Sequence, residues 1–197
     1  MENKPTGDLR VRRTHKHLYN ALLELMETQS FENITVKQIC DLAMVHRTTF
    51  YTHFKDKYDL LSHALRQIAE EELNFSTIPH SPAESLSEVF SAASKNKQVF
   101  TQLLSEERDS LRSLLRREMG KGIYIHLTED VMKENVISED DFLNIQIIIE
   151  AYTGAMIGVL SWWIENNMPM DKEDIYKRLI ELDIFPEWKF LVNKGIE

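Results

Sequence analysis

"ITVKQICDLAMVHRTTFYTHFKDKYDLL", residues Ile34 to Leu61, is the stretch on which the fold turns. Thr35 and Gln38 stand at capping-box spacing, and Ile34 and Ile39 occupy the hydrophobic-staple positions around the same helix start, so a helix begins at Val36. Val36, Ile39, Cys40 and Ala43 give it one apolar face. After about two turns it meets "AMVH", and a second short helix follows within "HRTTFYTHF", His46 to Phe54. Phe50 and Phe54, four apart, face inward, while the hydrogen-bonding side chains project outward. That outward face holds no acidic residue. Two short helices joined by a tight turn make a helix-turn-helix, and a surface of this composition suits phosphates and base edges.

The whole chain has 197 residues and a formal charge of −9, a poor balance for meeting a polyanion. The charge is unevenly distributed. Residues 1–66 hold 10 Lys and Arg against 8 Asp and Glu, and residues 67–197 hold 13 against 24, so the two parts carry +2 and −11. Five of the seven histidines also lie in the first part. Such asymmetry points to a polyanion-binding end and a differently employed remainder. Lys4, Arg10, Arg12, Arg13 and Lys16 form a basic arm ahead of the motif, interrupted only by Asp8. A division into 1–66 and 67–197 follows.

Apolar residues recur at helical spacing almost throughout, with no sustained period-two run, so the expected class is all-α. Leu18, Ala21, Leu22, Leu25 and Met26 mark the helix before the motif. Asp56 is placed to cap a fourth helix with Leu61, Leu65 and Ile68 on its inner side. "NFSTIPHSPA" reads as a linker, with Ser81 as N-cap and Pro82 at the first helical position. Leu86, Val89, Phe90 and Ala93 mark one further helix, and Val99, Phe100, Leu103 and Leu104 another. A long helix covers about Asp109 to Lys133, with Gly120 and Gly122 as possible kink points. Ser138 can cap an apolar helix ending near Asn166. "NNMPMD" stops that helix before Asp171 caps the last one, which runs to about Asp183.

Composition excludes several classes. One cysteine, Cys40, forms no intrachain disulfide and no multi-cysteine zinc site, and it reads as a buried core residue. His15 and His17, two apart, do not share a helix face, so no metal is expected there. The N-terminus has no apolar run after its charges, and a cytoplasmic protein is expected. Ile145 to Ile164 is about long enough to span a bilayer. Asn144, Gln146 and the flanking acids, with no nearby Lys or Arg, argue instead for a buried helix of a soluble protein. No glycine-rich phosphate loop, paired metal ligands or Ser/His/Asp set points to catalysis, so neither an enzyme nor a cofactor is expected.

The run "TFYTHFKDK" and its surroundings, Arg10 to Arg66, resemble the DNA-binding domain of the tetracycline-repressor (TetR) family of bacterial transcription regulators. "GAMIGVLSWWIENNMPMDKEDIYKRL" looks like the C-terminal domain of the subgroup that includes the dihydroxyacetone-kinase operon activator. The resemblance implies an N-terminal three-helix reader, a C-terminal helical ligand-binding and dimerisation domain, and a homodimer on a palindromic operator in double-stranded DNA, whether repressor or activator. It implies that Arg47 and Thr48 approach base edges and that Thr49, Tyr51 and His53 hold phosphates. Lys57, at the next helix start, would add its charge there, and Thr35 would both cap its helix and touch a phosphate. The family usually has glycine where Met44 stands. His46 replaces the usual Ser-like N-cap, which weakens that helix start.

For dimerisation, the helix Phe142 to Asn166 is apolar almost all round, and Gly154 and Gly158 have the spacing that permits close helix approach. With the last helix it would form an intersubunit four-helix bundle, using Gly154, Gly158, Trp163, Ile175 and Leu179. An effector pocket would draw its lining from Phe100, Tyr124, His126, Tyr152 and Trp162. No basic cluster suggests an anionic effector. The subgroup resemblance leaves open a protein partner in place of a small molecule. A more distant alternative is a membrane-associated or protein-binding helical module without a DNA role.

Overall fold

The structure, a computed structural model, describes residues 6–72, 82–105, 109–131 and 139–182; within these, the side chains of 6–8, 72, 82–87, 126–131, 139–141 and 180 lie outside the description. The linker "NFSTIPHSPA" before Pro82 and the Ser81 and Ser138 caps fall outside the described residues. Every regular element among the described residues is helical. The chain divides into two compact units, Met1–Gln67 and Ile68–Glu197.

The first unit contains α1 (Thr6–Thr28), a 3-10 turn (Phe31–Asn33), α2 (Val36–Ala43), α3 (Arg47–His53) and the start of α4 (Lys57–Glu72). The start of α2 is held by a complete capping box. Thr35 Oγ1 accepts from the Gln38 N–H at 3.2 Å, and Gln38 Oε1 accepts from the Thr35 N–H at 2.9 Å. These bonds satisfy donors that the first helical turn leaves open. At the other end Met44 adopts the left-handed conformation, φ 54° and ψ 41°, and its N–H and that of Val45 close onto the carbonyls of Asp41 and Cys40. The chain thus reverses into α3 within a few residues. Asp56 Oδ1 caps α4 by accepting from the Tyr58 and Asp59 N–H groups at 2.8 and 2.9 Å.

Those caps aim four helices at one core. Leu18, Leu22 and Met26 of α1 are buried together with Phe31, Ile34, Ile39, Phe50, Phe54, Leu60 and Leu61. Each side chain of this size contributes about 1.5–3 kcal/mol by leaving water. Phe50 and Phe54 pack with ring centroids 5.8 Å apart, so the inner face of α3 is fully committed to the core.

The second unit contains α5 (Pro82–Lys95), α6 (Lys97–Leu104), α7 (Asp109–Val131), α8 (Glu139–Glu165) and α9 (Lys172–Glu181). α8 packs against α6 and α7, and α9 packs against α5. Phe90, Val99, Phe100, Leu103, Leu111, Leu115, Leu160 and Trp163 are buried in its core. α8 ends through two successive left-handed residues, Asn167 (φ 56°) and Met168 (φ 53°). Their N–H groups donate to the carbonyls of Ile164 and Trp163 at 3.0 and 2.7 Å. The Trp163 indole N–H then donates to the Met170 carbonyl at 2.8 Å, and Asp171 caps α9 through the Asp174 N–H. By length and composition, Phe142–Glu165 is long and apolar enough to cross a membrane. One side of this helix is buried within the unit through Ile145, Ile149, Met156 and Leu160.

Candidate functional site

Because Phe50 and Phe54 occupy the core, the other side chains of α3, apart from His53, are turned outward. Arg47, Thr48, Tyr51 and Thr52 are exposed, and Thr49 is half-buried. His46 begins the helix in an extended conformation with no side-chain cap bond, so the first N–H groups of α3 are left open on the same side as Arg47. Tyr51 is steadied by an edge contact with Phe50, ring centroids 5.3 Å apart. The Thr52 hydroxyl donates to the Thr48 carbonyl at 2.9 Å. A guanidinium, hydroxyls and a phenol, with no carboxylate among them, form a surface able to donate hydrogen bonds to phosphate and base-edge acceptors.

Three of the expected contacts are placed differently. Lys57 turns its ammonium inward, donating to the carbonyls of Phe31, Glu32 and Ile34, each at 2.8 Å, with the Phe31 ring centroid 4.7 Å away. Burial draws its pKa down, partly opposed by Glu32. An ammonium has three donors, and all three are engaged, so Lys57 clamps the 3-10 turn to the start of α4 instead of reaching a phosphate. The Thr35 hydroxyl donates to Gln38 Oε1 at 2.8 Å, which occupies its proton in the cap. His53 is half-buried with its ring against His15, centroids 4.9 Å apart and nearly perpendicular. The exposed cations that sequence reasoning passed over are Lys55, directly after α3, and Lys37 on α2. "FKDK" offers two lysines around Asp56, and only the tertiary clamp distinguishes them.

The second unit presents two further surfaces. Leu143, Ile147, Ala151, Gly154, Gly158 and Trp162 are exposed at steps of three and four along α8, making one continuous stripe of mostly apolar residues. Trp163, assigned to that face from the sequence, lies instead in the subunit's own core, its ring edge-on to Phe90 at 5.2 Å. Ile175 and Leu179 are likewise buried, on the side of α9 that packs within the unit. The physical reason is phase. A helix that is apolar all round does not reveal from composition which side its own subunit covers.

Between α7 and α8 lies an open groove of about 670 Å³, lined by residues including Tyr124, Ile125, Phe142, Ile149 and Thr153. Ile123, Tyr124 and Ile148 pack on the buried pair Ile145 and Ile149 beside it. Thr153 is 2% exposed, and its hydroxyl has no hydrogen-bond partner among the described residues. Arg116, Arg117 and Lys121 of α7 line the groove wall, a basic grouping that sequence reasoning did not find. Arg116 pairs with Glu150, while Arg117 and Lys121 pair with the buried carboxylate of Glu118 at 3.3 and 3.0 Å. Of the residues assigned to a pocket, Tyr124 lines this groove. Phe100 is buried on α6, Tyr152 is half-buried on α8, Trp162 lies on the exposed stripe, and the His126 side chain is outside the described residues. No group of three or more His, Cys, Asp or Glu among the described residues is placed to hold a metal ion.

An all-α chain in which a capped two-helix reader precedes a separate helical unit has the architecture of a DNA-binding transcription regulator. The sequence pattern described as "Bacterial regulatory proteins, tetR family" matches residues 18–64, and that described as "Transcriptional regulator C-terminal region" matches residues 80–182. The chain belongs to the TetR family of transcription regulators. It is 28% identical over 193 residues to the HTH-type transcriptional regulator YxbF of Bacillus subtilis, covering 93% of this chain and 48% of that relative. The chain therefore spans about half the length of that curated relative. Among solved structures, a TetR transcriptional regulator from Streptococcus agalactiae is 25% identical with a TM-score of 0.56, covering 89% of this chain and 96% of that one. The dihydroxyacetone kinase operon activator DhaS shares the fold at a TM-score of 0.60 and 18% identity, covering 86% and 93%.

Proposed function

We propose that this regulator acts in the cytoplasm as a homodimer that docks two copies of α3 in successive major grooves of a palindromic operator. The observation that carries this reading is the outward set Arg47, Thr48, Tyr51 and Thr52 on a helix whose other face is anchored by Phe50 and Phe54. Arg47 and Thr48, at the N-terminal end, approach base edges, because that end of a recognition helix enters the groove. Thr49 and Tyr51 hold phosphates, and Lys55 takes the electrostatic role that the sequence suggested for Lys57. The chain divides in function as in charge, with 1–66 reading DNA and 67–197 regulating and dimerising. A duplex-binding assay of Arg47→Ala and Tyr51→Ala tests the reading: both lose affinity, and wild-type affinity in both overturns it.

The exposed stripe of α8 supports dimerisation, since a contiguous apolar surface of this kind is stabilised by a mate. Gly154 and Gly158 let two such helices approach closely, and Trp162 fills the interface. The groove between α7 and α8 is the candidate effector site. Its volume falls within the range of small-molecule sites, and the unpartnered Thr153 hydroxyl offers a directional contact in an otherwise apolar floor.

A further inference from the structure

Three imidazoles meet at one point of the DNA-binding unit, each from a different helix. His15 comes from α1, His53 from the last position of α3, and His63 from α4. The His15 ring centroid lies 4.9 Å from each of the other two, and also 4.9 Å from Phe54, the core residue that immediately follows α3. Phe54 lies 5.4 Å from His63. His15 is thus the hub through which α1 and α4 grip the C-terminal end of the helix that carries Arg47 and Tyr51. The His15 ring meets those of His53 and His63 edge-on, at interplanar angles of 80° and 78°, and no group of three or more His, Cys, Asp or Glu among the described residues is placed to hold a metal ion.

His15 Nε2 is buried and has no hydrogen-bond partner among the described residues. In a neutral ring this atom can be a bare lone pair. In an imidazolium the same atom must carry an N–H donor and share a positive charge, where no described residue accepts from it. Protonation there leaves that buried Nε2–H donor unsatisfied, in a half-buried ring packed against His53, His63 and Phe54. The groups around the hub are His53 from α3 and His63 from α4, with Tyr19 of α1 reaching His63 at 6.2 Å. Asp59, one turn earlier on α4, is engaged with the Lys55 N–H at 3.0 Å.

We propose that His15 is a positioning residue for DNA binding: as a neutral ring it fixes the end of α3 between His53 and His63, and its protonation loosens α3 and weakens duplex binding as pH falls. Burial holds the His15 pKa below the usual imidazole value, and the neighbouring His63 and His53 lower it further. The sign follows. The folded state favours the neutral ring, so the stabilisation is fully present above the unfolded value of about 6.5. It is lost as pH falls from there toward the depressed folded value, because the unfolded chain then binds the proton more readily.

The proposal rests on the reading of α3 as the DNA-contacting helix, and its test keeps the two apart. The probe is a duplex selected by the wild-type protein from a random-sequence pool at mildly alkaline pH. Binding and thermal midpoint are then followed from about pH 7.5 to about pH 5.5, a span that brackets ordinary imidazole titration. The wild-type protein loses roughly tenfold in affinity across this span, and its midpoint falls in parallel. His15→Gln flattens both profiles to within about twofold, while His17→Gln, an exposed control on the same helix, keeps the wild-type profile. A His15→Gln profile as steep as wild type overturns the proposal. Should His15→Gln fail to fold, a proton NMR titration of the wild-type His15 ring decides: a midpoint at or above the ordinary imidazole value overturns it. If no duplex is selected at any pH while the midpoint still follows pH through His15, the failure belongs to the reading of α3.

Discussion

Trp162 and Trp163 are neighbours in sequence and opposites in environment: Trp162 is 46% exposed on the outer stripe of α8, and Trp163 is 2% exposed in the core. Under the proposed homodimer, the two indoles therefore separate dimerisation from folding. Trp163→Ala is expected to cost about 3–5 kcal/mol of stability, the range for truncating a buried aromatic, and to free the α8 to α9 corner from its Met170 bond. Trp162→Glu should fold with a thermal midpoint close to wild type but sediment as a monomer where the parent sediments as a dimer. An unchanged dimer would remove Trp162 from the interface.

Lys57 and Lys55 supply a second contrast. Lys57→Met leaves three carbonyls without their donor and is expected to destabilise the protein by about 1–3 kcal/mol in urea unfolding. Lys55→Ala should be near neutral in stability yet reduce the slope of log affinity against log salt by about one. If Lys57→Met instead lowers the salt slope while leaving stability intact, the inward clamp is not its role.

Met44 adopts left-handed geometry with its side chain 91% exposed. Removing that side chain sacrifices almost no packing and relieves a conformational cost of about 1–2 kcal/mol, partly offset by the greater freedom of glycine in the unfolded chain. Met44→Gly is accordingly expected to raise stability by roughly 0.5–1 kcal/mol, read as a higher urea midpoint at unchanged slope. A lower midpoint would contradict the strain argument.

Thr35 acts through its cap. Thr35→Ala should cost about 1 kcal/mol, and Thr35→Ser should recover most of it. At temperatures where Thr35→Ala remains folded, its duplex affinity should change less than that of Arg47→Ala, since the Thr35 proton is already held by Gln38. Equal losses would return a phosphate contact to Thr35.

The features legible in the sequence are local ones. The Thr35 and Gln38 box and the Asp56 and Asp171 caps each depend on a few consecutive residues, and each stands in the structure as its residue types require; the left-handed turn at Met44 stands against its residue type, at a position where the family usually has glycine. The inward Phe50 and Phe54 pair was equally readable, because a short helix with two aromatics four apart has one choice of face. What stayed hidden depends on distant partners. Nothing near Lys57 in sequence announces the carbonyls of Phe31, Glu32 and Ile34. The phase of α8 is masked by its own hydrophobicity, which is why the sequence points to Trp163 for the mating face and Trp162 for a pocket lining, whereas Trp163 lies in the core and Trp162 on the exposed stripe. The basic wall of the groove is polar sequence on α7 that acquires meaning only when α8 lies alongside, and the histidine cluster joins residues 48 positions apart from His15 to His63.

The clasp from Lys57 to Phe31 brackets the reading helices from outside, for both of its ends lie beyond the segment running from Thr35 to Lys55. That makes the segment a cassette. Exchanging it for the corresponding residues of a relative should transplant sequence preference while leaving the frame that holds it intact, provided the incoming piece keeps the two aromatics at the positions of Phe50 and Phe54.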